Sequence, residues 1–211
     1  MKLLSLISCV LVAQLSWASE KDYSSQLSSF GGHLELHSFY HLLNKFGIEV
    51  QDSVENRKVD WSQNIHHMPI KATAGLQLYA PHGGLKSVTG GRLYLEGEFT
   101  WQLNQGKAII FKNLYLRPTK QALDVGDLAV LDVVNQDDEV VFELNNIHAG
   151  FSKNNTEVFM NNMDLRISPW LAKTMEMPQL SNHIAGQVNL ISNLTTPANY
   201  QAKPFPSGAC S

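Results

Sequence analysis

The chain has 211 residues, of which 44% are hydrophobic and 17% charged, and 16 Lys and Arg against 19 Asp and Glu leave a formal charge of -3. That composition fits a globular domain and excludes collagen-like, coiled-coil and disordered chains. It also lacks the basic excess needed to neutralise a phosphate backbone, so nucleic acid is not an expected partner.

The N-terminus reads as an export signal. Met1-Lys2 is a short positive start, Leu3 to Leu15 is mostly apolar, and Ser16-Trp17-Ala18 ends in small residues, so cleavage is expected after Ala18. An apolar run of about 13 residues is too short to span a bilayer as a helix, which takes roughly 20. No later stretch is as long, so the mature chain is expected to be secreted or periplasmic and to lack a transmembrane helix. Leu6-Ile7-Ser8-Cys9 has the outline of a lipobox, but Cys9 sits inside the apolar run. Removal of the signal leaves Cys210 as the single thiol, which forbids an internal disulfide and makes it a candidate for an intermolecular bridge.

Residues 19–32 are serine-rich, end in Gly31-Gly32, and read as a flexible lead-in. Leu36, Phe39, Tyr40, Leu43 and Phe46 then recur at three- and four-residue spacing. They predict a helix from about Leu34 to Phe46, with Gly47 as a left-handed cap. Residues 51–67 are polar and irregular and read as a surface excursion.

From Ile70 the pattern alternates. Leu93, Leu95, Gly97, Phe99, Trp101 and Leu103 share one face of a predicted strand, and Asn104-Gln105-Gly106-Lys107 turns it into a second, Ala108 to Arg117. Further strands are expected at Leu76–Ala80, Leu85–Val88, Leu128–Val134, Val140–His148, Val158–Ile167 and Gly186–Leu194. The expected fold is mainly β: an antiparallel sandwich, barrel or extended curved sheet of roughly eight strands with one N-terminal helix. It forms a single domain over 33–194 and is followed by a flexible tail over 195–211.

A motif of an apolar residue, one position, then Asn and another apolar residue occurs at Phe111-Lys112-Asn113-Leu114 and near Met160-Asn161-Asn162-Met163, with a partial copy at Leu144-Asn145-Asn146-Ile147. It predicts strands bent at an asparagine.

Of the candidate chemical groups, His33, His37 and His41 stand four apart and would share a helical face able to grip a transition metal. If the segment is extended instead, His33, Glu35 and His37 share a face. His66-His67, His82, His148 and His183 read as surface or strand residues. Asp124, Asp127, Asp132 and Asp137-Asp138-Glu139 lack EF-hand spacing, and Asn135 to Asp138 reads as a solvated hairpin turn. Phe99 and Trp101 are either core residues or a ligand-stacking row. Asn154 and Asn193 carry glycosylation sequons. No nucleophile elbow, P-loop or dinucleotide fingerprint occurs, and no cofactor is implied.

The expected function is an exported, non-catalytic binding or assembly protein of the envelope or extracellular space, with a protein, glycan or lipid as partner. The alternatives are a carrier holding an apolar ligand such as lipid in a β groove, an outer-membrane barrel, and a metal-dependent hydrolase built on His33, His37 and His41.

Overall fold

A computed structural model describes residues 26–52, 65–81, 84–104, 106–119, 131–145, 148–152 and 155–195. The expected signal peptide, Cys210 and the tail beyond residue 195 lie outside them. The chain is mainly β and antiparallel throughout. In chain order the elements are β1 (Gln26–Ser38), α1 (Tyr40–Lys45), β2 (Ile48–Asp52), β3 (Ile65–Pro69), β4 (Leu76–Tyr79), β5 (Ser87–Gly91), β6 (Leu93–Tyr94), β7 (Glu98–Leu103), β8 (Ala108–Lys112) and β9 (Tyr115–Pro118). They continue as β10 (Leu131–Val134), β11 (Val140–Asn145), β12 (His148–Phe151), β13 (Glu157–Ile167), α2 (Pro169–Thr174), a 3-10 turn at Pro178–Leu180 and β14 (Ile184–Thr195).

Eleven strands form one sheet whose main path runs β5-β4-β1-β14-β13-β11-β10-β9-β6, with β3 beside β1 and β12 beside β13. The path begins at β5 and ends at β6, and only Arg92 separates those two strands in the chain, so the sheet is nearly closed into a barrel. The seam is stitched by backbone bonds from Lys71 N to Tyr94 O at 2.9 Å and from Glu96 N to Pro69 O at 2.7 Å. The second sheet, β2-β7-β8, shares the same core. Phe99 stacks on Phe111 at 4.6 Å between ring centroids, and Trp101 meets Phe142 of the large sheet edge-on at 5.4 Å.

The long predicted hairpin exists, but each of its arms is broken. Gly97 (φ +98) separates β6 from β7, and Asn113 (φ +52) separates β8 from β9. Both arms thereby cross from the small sheet to the large one, the way corners are made in orthogonally packed sheets. Asparagine at the bend is what the repeated motif predicts, and the second copy behaves alike. Asn162 (φ +55) sits where β13 advances three residues, Met160 to Met163, while β14 moves two, Leu190 to Val188. The extra residue switches parity, so Val158 and Met160 before it and Met163, Leu165 and Ile167 after it all face inward.

The helix predicted over Leu34–Phe46 is corrected. Residues 26–38, including the expected lead-in from 26 to 32, are strand, and the helix is confined to Tyr40–Lys45. Leu34 and Leu36 are buried by alternation rather than by helical spacing, whereas Phe39, counted in the helical stripe, is exposed. Gly47 does take the expected left-handed conformation after the helix, at φ +72. Strands β2, β3 and β12, helix α2 and the 3-10 turn were unforeseen. Strand β3 lies in the expected surface excursion. Helix α2 starts on Ser168, whose hydroxyl accepts from Leu171 N at 3.0 Å, with Pro169 in the first turn. Among the described residues no helix is long and apolar enough to cross a membrane.

Candidate functional site

The barrel seam opens into a solvent-facing cleft of about 570 Å³. Lys71 and Arg92 supply positive charge, Tyr94 and Tyr115 supply aromatic faces, and Asn113, Gln136 and Asp138 complete the polar wall. The fold brings these together for one reason. Arg92 is the single residue joining the two ends of the sheet, Tyr94 follows it on β6, and Tyr115 is the register partner of Tyr94 on β9.

The cleft is organised by a chain of contacts. The Arg92 guanidinium lies 4.8 Å from the Tyr115 ring centroid, and the Tyr94 and Tyr115 rings are 5.7 Å apart. The Tyr115 hydroxyl donates to the Asp138 carboxylate, which also accepts from Arg117 Nη1 at 2.9 Å. Burial and the bond to Asp138 push the Tyr115 hydroxyl up from its ordinary pKa. The same bond, with that from Arg117, holds the Asp138 carboxyl down. Asp138 can turn back to Tyr115 because it sits in a tight turn at φ +65, where Asn135 Oδ1 accepts from Asp137 N and Glu139 N, each at 3.0 Å. Asn135 to Asp138 is thus the hairpin turn expected from sequence. Asn113 Nδ2 donates to Gln136 Oε1 at 3.3 Å and ties the strand bend to that turn. The result is a hydrogen-bonded, mixed-polarity wall with cations and an exposed tyrosine ring at its rim, suited to holding a ligand that carries negative charge.

A second polar constellation lies on the outer face of the barrel. His33, Glu35 and His37 alternate along β1 and point outward together, and His67 of β3 stands directly opposite Glu35 in register. His33 Nε2 and His67 Nδ1 lie 3.7 and 3.9 Å from Glu35 Oε1, and His37 Nε2 lies 3.8 Å from Oε2. Asn189, opposite Glu35 on β14, donates from Nδ2 to Oε2 at 3.2 Å while its Oδ1 accepts from Asn162 N at the β13 bulge. The outward direction of the row is set by a second bulge. Between Phe30 and His33, β1 advances three residues against two on β14, with Gly31 and Gly32 both at positive φ.

The extended alternative for His33, Glu35 and His37 is therefore the arrangement present. The helical trio is not, since His33 and His37 are on a strand and His41 is an exposed residue of α1. Phe99 and Trp101 do not form a stacking row: they are 2% and 0% exposed and belong to the core. Asp132 faces Arg117 across the β9–β10 pair, at 3.7 Å. Asp124, Asp127, Asn154 and His82 lie outside the described residues. Asn193 is exposed on β14.

Sequence reading missed Lys71, Arg92 and Gln136, which carry no motif and meet only because the sheet closes. It set His67 aside because β3 was hidden in a polar stretch, although the alternation of buried His66 and Met68 with exposed Ile65, His67 and Pro69 is the signature of a half-buried strand. No family model, curated protein or solved structure matches this chain.

Proposed function

We propose that the chain is an exported, non-catalytic binding or assembly protein of the cell envelope or extracellular space, and that it engages its partner through the cleft at the barrel seam. The cleft itself carries this reading. Its rim pairs the charges of Lys71 and Arg92 with the half-exposed ring of Tyr94, a combination that fits a ligand with an anionic group and a flat face, such as an acidic glycan.

Among the described residues, the packing of the core favours recognition at the surface over carriage of an apolar ligand. The apolar cavity lined by residues such as Leu34, Met68, Phe99, Phe142 and Val188 measures about 10 Å³, near the space of one water molecule. A carrier requires room for an acyl chain. The outward face of the large sheet carries Glu35, His37, Asp164, Arg166, Gln187 and Asn189 around its middle strands, which disfavours a lipid-facing barrel wall.

The test is native mass spectrometry of chain purified from the exported fraction without detergent or chelator, followed by binding to acidic and neutral glycans with Arg92→Ala and Tyr94→Ala variants. The expected result is preference for the acidic ligands, weakened at least about tenfold by either substitution. A lipid-sized mass retained by both variants would overturn the reading.

A further inference from the structure

We propose that His33, Glu35, His37 and His67 form a binding site for a late first-row divalent metal ion, with Zn²⁺ the ion best matched to the donors. The site is separate from the cleft and does not depend on what the cleft holds. Three imidazoles converge on one carboxylate from two paired strands, so the spacing of their backbones is fixed by the β1–β3 ladder rather than by a loop.

The three imidazoles flank the carboxylate at separations wider than those of a coordination shell. Two ligands of a tetrahedral zinc ion, each bound at about 2.0–2.1 Å, are separated by roughly 3.4 Å. His33 Nε2 and His67 Nδ1 stand 3.7 and 3.9 Å from the same carboxylate oxygen and their rings are 6.3 Å apart between centroids, so an ion shared by all three requires shifts that bring the two imidazoles toward each other. As placed, no group of three His, Cys, Asp or Glu side chains among the described residues could hold a metal ion, so those shifts are a requirement of the site. Side-chain rotation can supply them, because His33, His37 and His67 are open to solvent, with side-chain exposures of 41%, 36% and 61%.

The chemistry of the donors selects the ion. Imidazole nitrogens favour zinc, copper and nickel, whereas calcium and magnesium take oxygen-only sets. Glu35 contributes the charge that offsets the ion, and Asn189 performs the orienting task usual around metal ligands by holding the outer carboxylate oxygen. His33, His67 and Glu35 Oε1 make the core of the site, and His37 stands 3.8 Å from Oε2 on the other side of the carboxylate. Solvent completes the shell on the open face.

The experiment is a Zn²⁺ titration of the full exported chain, without a polyhistidine tag, by calorimetry and by competition with a chromophoric chelator. Binding of one ion per chain at micromolar or lower dissociation constant is expected, weakened at least about tenfold by His33→Ala, His67→Ala or Glu35→Gln. His41→Ala should leave it unchanged. Because a variant can weaken binding by unfolding, circular dichroism is recorded on each, and Co²⁺ absorption reports the shell directly: Glu35→Gln should alter the visible bands while the fold persists. Binding weaker than millimolar, binding indifferent to His67→Ala, or equal loss in His41→Ala would overturn the proposal.

Discussion

Asp132 gives the sharpest stability test. It lies on β10 between Arg117 of β9 and Glu143 of β11, and its side chain is only 11% exposed. Burial is the main influence and Glu143 adds to it. Together they outweigh the attraction of Arg117 and raise the carboxyl from 3.8 to about 6. A folded pKa above the unfolded one means that, between about pH 4 and pH 6, the native protein holds a proton the unfolded chain has released. Stability from this group is therefore greatest below about pH 4 and falls as pH rises to about 6. Two units at about 1.4 kcal/mol each make the loss on the order of 3 kcal/mol. Asp132→Asn removes the titration and leaves the other groups in place. Urea unfolding of both proteins in steps from about pH 3.5 to pH 7.5 should show the variant gaining on the parent by up to that amount. A difference that stays constant would mean that burial does not perturb Asp132. One that moves against the variant as pH rises would mean that the Arg117 pair, not desolvation, governs the site.

Two further outcomes follow from the same geometry. At Gly32, φ is +100 and a Cβ would sit 2.1 Å from Ile191 O. Gly32→Ala should therefore cost about 2–4 kcal/mol in urea unfolding, and a variant as stable as the parent would refute the strained bulge. Tyr115→Phe removes the hydroxyl that holds Asp138, so carbon-detected NMR should find the Asp138 carboxyl titrating at higher pH; an unmoved titration would assign the effect to Arg117 alone.

Much of the fold was legible because most strands are half-buried and alternate. Val158 to Ile167 and Gly186 to Leu194 were placed within two residues of their observed ends, and β4 within one. The errors share a cause. Leu36 satisfies both a two-residue and a 3.6-residue period, so the window from Leu34 to Phe46 could be read either way, and β14 decided it by pairing with β1 through Ser38. The breaks at Gly97 and Asn113 were invisible as sheet changes, because a local sequence records that a strand bends but not which neighbour it bends toward. The outer histidine row was half legible: His33, Glu35 and His37 followed from alternation, but His67 needed the tertiary register. The cleft was illegible, since none of its residues is near in sequence to all the others.

The pairing of β1 with β14 joins the first described strand to the last. Contacts of such long sequence separation are entropically slow to form and are characteristic of sheets that fold in milliseconds to seconds. During synthesis the segment 26–38 must wait until residues 184–195 exist before its longest partner is available. Until then its edge is open, and β14, which also supplies the neighbour of β13, is the piece that converts a set of hairpins into a closed wall. A chain arrested before residue 184 should therefore keep its local hairpins and fail to close, leaving β1 free to pair with another molecule.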